Sequence, residues 1–278
     1  MTRATLPDVL RPCLSNGTAV AGLVVLGWED ARAYVRAAES EGRPVILQAG
    51  PGCRAHTPLP VLGAMFGYLA DGASVPVVAH LDHGEDIDVC RNAIDCGFTS
   101  VMYDGSALPL AENIARTAEV AAMARAMGAG VEAELGYVGY AGGAASTGTD
   151  PAQVAQFWRQ TGVDALAVSV GNLHLMQDAV TQIDLVRLAA ISAAAPHLPL
   201  VLHGGSGIPP ELRRDLARTN ICKFNIGTEL RLAFGQALRS AVNRDPSQFD
   251  RIAILSETEP AVTAAARRAI ASLSDPRL

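Results

Sequence analysis

Positive charge is scarce in this chain. Its 278 residues carry 22 Lys plus Arg against 28 Asp plus Glu, a net charge of −6, and only 18% are charged. Such a surface lacks the field that nucleic acid or an anionic membrane rewards, so neither is an expected partner. Long apolar runs are missing as well. The stretch "AVAGLVVLGW" at 19–28 is far too short to span a bilayer. The opening residues, "MTRATLPDVLRPCL", hold no apolar core of the signal-peptide type. The five cysteines are odd in number, irregularly spaced and free of any Cys-x-x-Cys pair, which fits a reduced, cytoplasmic protein whose cysteines act as small buried hydrophobes. There is no Pro/Gly-rich linker and no low-complexity segment. A 49% hydrophobic composition suffices for one large core, so a single domain over 1–278 is expected.

What is present is alternation. Eight short Val/Ile/Leu-rich runs recur: "TAVAGLVVL", "PVILQAG", "VPVVAHLDH", "FTSVMYD", "GAGVEAELG", "VDALAVSVG", "LPLVLHGG" and "ICKFNIG". Between them lie amphipathic patterns such as "EDARAYVRAAESEG", "PLAENIARTAEVAAMARAMG" and "DLVRLAAISAAAP". Most runs are apolar on both faces, the pattern of parallel strands covered by helices. Eight such units predict an α/β fold, a (β/α)8 TIM barrel; a doubly wound sheet is the competitor. The tail "ETEPAVTAAARRAIASLSD" predicts a C-terminal helical extension that starts at Thr258-Glu259-Pro260.

The polar residues gather at the C-terminal ends of the runs. The third ends in His80, Asp82 and His83, the fourth in Asp104, and the fifth in Glu132 and Glu134; His174 follows the sixth and His203 ends the seventh. In a barrel these ends converge on the face where barrel active sites lie. His83, His174 and His203 suit an open zinc site, because Zn2+ takes imidazole nitrogen and a catalytic site leaves one position free. His80 lies three residues before His83, which on a regular strand puts it on the opposite face, as a second-shell residue rather than a ligand. His56 and His197 lie in loops without such company. The loops "HGGSG" and "NIGTE" form a second constellation. Gly204, Gly205, Ser206, Asn225, Gly227 and Thr228 offer backbone N–H groups, hydroxyls and a helix start, which cradle phosphate.

The blocks "HLDHGED", "SVMYDGS", "EAELG", "GVDALAVSVGNLH", "LVLHGGSGIP" and "KFNIGTELRLAF" resemble, in order, those of the class II zinc-dependent fructose- and tagatose-bisphosphate aldolases, most nearly the tagatose type, over about residues 15–245. The resemblance implies that His83, His174 and His203 bind one Zn2+, with Glu134 an alternate carboxylate and Asp104 nearby. It implies that Asp82 moves the proton of the aldehyde-derived oxygen. Gly205, Ser206, Asn225 and Thr228 would hold the phosphate of a dihydroxyacetone-phosphate donor. A monovalent cation, a phosphorylated small-molecule substrate and a homodimer or homotetramer are further expectations of the resemblance.

The departures have a direction. The family's Ala-Phe-Asn at the end of the first strand reads Gly22-Leu23-Val24 here. Its mobile Gly-Gly-x-Glu-Asp loop reads "YVGYAGGAASTGTD", with no carboxylate before Asp150, so Tyr137, Tyr140 or Glu134 is left for that role. Its His-Gly-x-Tyr-Lys reads His174-Leu175-Met176-Gln177, and its late Asp-Pro-Arg reads Asp245-Pro246-Ser247. The donor pocket is kept and the far-phosphate contacts are not. A buried dianion without cationic partners is costly, so a substrate other than fructose or tagatose bisphosphate is expected, with Arg54 as a replacement anchor. A metal and sugar-phosphate binding homologue without aldol chemistry, and another metal-assisted lyase or hydrolase reaction at this rim, are the alternatives.

Overall fold

A computed structural model describes residues 2–143, 145–178 and 181–274. The eight apolar runs form eight parallel strands: β1 (Val20–Val24), β2 (Val45–Ala49), β3 (Val77–Gly84), β4 (Ser100–Tyr103), β5 (Gly130–Leu135), β6 (Ala165–Val168), β7 (Leu200–Leu202) and β8 (Ile221–Ile226). They hydrogen-bond in chain order, and β8 closes on β1 through Val20↔Lys223 to Leu23↔Ile226, a (β/α)8 barrel. Helices cover the outside, and a large apolar cluster fills the layer between them and the strands.

The bore is filled in two ways. Its lower part is apolar: Val20, Ile46, Val78, Met102, Ala165, Ala167, Val201 and Cys222 pack against Leu6, Val9 and Leu10 of the helix Leu6–Asn16. That helix plugs the N-terminal mouth. Thr5 and Asp8 form a capping box at its start, and Gly17 at φ 62° ends it. Above this plug the bore turns polar. Gln48, His80, Glu132 and Lys223 are all fully buried. Gly22 makes room for them: a Cβ there would lie 1.8 Å from Gln48 Oε1 and 2.9 Å from Lys223 Cε. The strand end that sequence comparison marks as altered therefore starts with a glycine set by bore packing.

At the other end of the chain the helix Glu259–Ala271, with Thr258 at its N-cap, packs on the helix Trp28–Glu41. Buried Glu259 joins them by accepting from Arg32 and Arg36. The C-terminal extension thus completes the outer ring between the last barrel helix, Thr228–Arg244, and the first.

Replacing Gly22 with Ala overpacks the bore at Lys223 and Gln48. The expected cost is about 1–3 kcal/mol of unfolding free energy, read from denaturant titration of the two proteins. An unchanged midpoint would show that the bore can yield.

Candidate active site

β3 carries the first imidazole, and the strand does not stay regular. Its pairing with β4 runs His80↔Ser100 and Leu81↔Val101, then Gly84↔Tyr103, so β3 holds one extra residue in a bulge. Within it His83 has φ 51°, a left-handed conformation rare for a side chain with a Cβ. The bulge brings the His83 ring back toward the axis. Ring centroids are 4.9 Å apart for His83 and His203, 5.6 Å for His83 and His174, and 5.5 Å for His174 and His203. One ring nitrogen from each lies within 4.8 Å of the others. A second such group joins His83 to Asp104 and Glu134.

Each ring is held from behind. His83 Nδ1 is 2.7 Å from Asp104 Oδ2, and Ser106 in turn donates its N–H and hydroxyl to Asp104 Oδ1. His203 Nε2 is 3.1 Å from Glu132 Oε1, while its Nδ1 is buried without a hydrogen-bond partner. His174 is fixed through its backbone: its N–H donates to Gly139 O and its carbonyl accepts from Ala141. Tyr140 stacks on its ring at 4.8 Å.

Three carboxylates surround the rings. Asp82 is buried and accepts from Asn225 Nδ2 at 3.2 Å. Burial pushes its carboxyl up, but His83, His203 and Lys223 outweigh that and hold it well below the usual range. Asp104 is likewise driven down by its hydrogen bond to His83 against the opposing effect of burial. Glu134 goes the other way, because burial there outweighs His203. Its Oε1 accepts from Val138 N–H, and its Oε2 is buried without a partner, 3.5 Å from His203 Nδ1. Burial lowers the affinity of His83 for a proton, but Asp82, Asp104 and Glu134 raise it further, to about 9. The pocket therefore concentrates negative charge beside three convergent nitrogens, an arrangement that favours a bound cation. The orphaned His203 Nδ1 and Glu134 Oε2 point to the same conclusion.

A cleft opens beside the imidazoles. Asp82, His174, Gly204, Ser206, Asn225, Gly227 and Thr228 line it, together with Val24, Leu175, Met176 and Arg231. Ser206 Oγ accepts from Gly227 N–H and Glu229 N–H, both at 3.3 Å, so it sits at the N-terminus of the helix Thr228–Arg244. Gly205 lies beneath the surface. Its carbonyl, with that of Ile208, accepts from buried Arg213, which braces the "HGGSG" turn.

Two placements differ from the sequence reading. Arg54 does not face the cleft as an anchor. Its guanidinium donates to the carbonyls of Ala49, Asp82 and His83, so it steadies the bulge from outside. His56 ends a short helix, Pro51–His56, rather than lying in a loop, though it is exposed. His80 lies deep in the bore, between Ser100 Oγ at 2.8 Å and Lys223 Nζ at 3.2 Å. Asp150, the first carboxylate after the altered loop begins, is taken up in capping the helix Pro151–Thr161. Sequence reasoning placed Glu132 and Lys223 at strand ends without giving them a role, and passed over Arg231. The available signal was a charged residue inside a strand run: Lys223 is the only lysine in the chain.

The glycine missing after His174 left its conformation behind: Leu175 has φ 60°. A left-handed Cβ costs roughly 1 kcal/mol, and Leu175 is 50% exposed, so little packing is lost on removal. Leu175→Gly should raise stability by up to about 1 kcal/mol, measured by thermal unfolding of metal-free protein. A lower midpoint would mean that the side chain contributes more than its backbone strain costs.

Comparison with known proteins accords with this geometry. The family model "Fructose-bisphosphate aldolase class-II" matches residues 4–275. A Streptococcus pyogenes fructose-bisphosphate aldolase is 39% identical over 230 residues, 81% of this chain and 78% of that one. A 6-phospho-5-dehydro-2-deoxy-D-gluconate aldolase of Shouchella clausii is 37% identical over 263 residues, 91% of this chain and 88% of that one. The crystal structure of the YdjI aldolase from Escherichia coli superposes with a TM-score of 0.85 at 33% identity, covering 98% of this chain and 97% of that one. The chain belongs to the class II fructose-bisphosphate aldolase family, aldehyde-lyases that make and break carbon–carbon bonds.

Proposed function

We propose that this aldolase is zinc-dependent and joins a dihydroxyacetone-phosphate-like donor to an aldehyde other than glyceraldehyde 3-phosphate. The observation that carries the reading is the set of three imidazole nitrogens within 4.8 Å, opening on a cleft with a helix N-terminus in its wall. His83, His174 and His203 are the residues to hold the ion, with Glu134 as an alternate ligand. Three nitrogens and a neighbouring carboxylate suit zinc. A divalent ion there supplies Lewis acidity toward the donor's oxygens, worth several kcal/mol to developing negative charge.

The chain's own residues do the rest. Asp82, held as an anion, accepts the proton of the hydroxyl on the departing aldehyde carbon in cleavage and returns it in condensation. Asn225 fixes the orientation of that carboxylate. Gly204, Ser206, Gly227 and Thr228 hold the donor phosphate at the start of the helix Thr228–Arg244, where N–H groups and the helix dipole favour an anion. Val24, Leu175 and Met176 add apolar surface to the same cleft, and Arg231 is the one arginine or lysine among its lining residues. An aldehyde with one compact anionic group, or none, matches that wall better than a triose phosphate does.

Three measurements test this. Chelation should abolish activity, and zinc should restore it, with one ion per subunit by elemental analysis. Asp82→Asn should lower kcat about 10²–10⁴-fold with zinc content unchanged. A chelator-resistant enzyme sinks the zinc assignment. For the acceptor, kcat/KM should be at least about tenfold higher for a ketose 1-phosphate lacking the second phosphate than for fructose 1,6-bisphosphate, a gap of about 1.4 kcal/mol. Preference for the bisphosphate overturns the acceptor reading alone.

A further inference from the structure

Below the cleft lies a chain of groups to which the reaction gives no role. Lys223 Nζ donates to Glu132 Oε2 at 2.6 Å, and Glu132 Oε1 lies 3.1 Å from His203 Nε2. All three side chains have 0% exposure. Lys223 also reaches His80 Nε2, and His80 Nδ1 meets Ser100. A carboxylate between two donors can only accept. His203 must then carry its proton on Nε2, which leaves the lone pair on Nδ1. Nδ1 is the buried atom without a partner, facing Glu134 at 3.5 Å.

We propose that Glu132, bonded on its other oxygen by the chain's only lysine, is a positioning residue that selects the metal-binding tautomer of His203. The proposal rests on the assignment of His203 as a metal ligand. Any acceptor could hold an imidazole N–H. The distinctive element here is Lys223, whose donation at 2.6 Å occupies Glu132 Oε2 and fixes Oε1 as the acceptor facing His203 Nε2. An ammonium suits the place because it is a compact charge that needs few partners. A guanidinium would bring five donors into a bore with too few acceptors for them. Gly22 clears the space that the lysine stem occupies. An anionic acceptor also raises the basicity of the opposite ring nitrogen, and losing such a partner typically weakens metal binding about 10–100-fold.

The competing description is an ion pair that only fills the bore. The test uses full-length protein, wild type and two variants, Glu132→Gln and the charge-neutral pair Glu132→Gln with Lys223→Met. The pair guards against a fold lost to an unpaired buried ammonium. Two readouts are needed. In metal-free protein, 15N NMR of labelled histidines reports which nitrogen of His203 is protonated. Competition with a chromophoric chelator reports zinc affinity. The expected result is an Nε2–H tautomer in the wild type, a mixed population in the double variant, and zinc affinity about 10–100-fold lower there, with the unfolding midpoint kept. An Nδ1–H tautomer in the wild type, or a folded double variant with wild-type zinc affinity, overturns the proposal. Wild-type protein that takes up no metal sinks the zinc reading instead, and the tautomer spectrum then decides the role of Glu132 by itself.

Discussion

An eight-stranded bore has to be filled, and this chain fills the upper half of it with ionisable groups. That choice constrains everything above it. Lys223 and Glu132 are fully buried and meet at 2.6 Å. Burial pushes the Glu132 carboxyl up, but Lys223 and the hydrogen bond to His203 bring it down to about 2, so it stays ionised. Removing one member of a buried pair costs about 3–5 kcal/mol, because the other is left as an uncompensated charge. Replacing a buried pair with hydrocarbon of similar volume is often neutral or stabilising, so stability alone is a weak reason for this one. Its contact with His203 supplies another. Burial and Lys223 together keep His80 neutral, with its proton affinity lowered to about 3, so it accepts from the lysine rather than competing with it.

The rim follows the same electrostatic logic. Asp82, Asp104 and Glu134 all face His83, and His83 would otherwise hold a proton strongly. The proposed divalent cation would satisfy the same carboxylates while drawing on the lone pairs of three rings. The bulge in β3 is the backbone side of that arrangement. A regular strand would alternate Asp82 and His83 between bore and outer layer. The extra residue and the left-handed φ of His83 let adjacent residues serve one centre. Arg54 ties the carbonyls of Asp82 and His83 to that of Ala49, which holds the bulge in place. Strain here persists because the surroundings determine the conformation from several sides.

How much of this could be read from the chain depends on whether a feature is local. All eight strands were legible, since most are short runs apolar on both faces and the third to eighth end in polar residues. The barrel rule, which sends strand ends to one rim, also made Asp82, His174, Ser206, Asn225 and Thr228 of the cleft legible. The bulge was not legible: nothing in "HLDHGED" states that His83 breaks the alternation, and register is fixed only by pairing with β4. The opposite-face expectation for His80 and His83 did not hold: His80 lies in the bore and His83, leaving the regular path at the bulge, turns to the same side. The direction of Arg54 was hidden for a similar cause, since a long side chain in a loop can face cleft or carbonyls and sequence weighs neither. Arg231 was missed because it sits one helical turn past Gly227, where the eye follows the glycines and not the helix face.

Two parts of the cleft wall are built differently. One is built around backbone: the "HGGSG" turn and the start of the helix Thr228–Arg244, with Arg213 buried beneath and bonded to the carbonyls of Gly205 and Ile208. A change there disturbs a network in which each polar group is already committed. The other part is built from side chains that project from edges: Val24 ends β1 two residues after Gly22, and Leu175 has the left-handed φ that favours glycine. Such positions can change residue type without unfolding the barrel. The cleft wall can therefore change at these side chains while the braced turn and the convergent imidazoles stay in place.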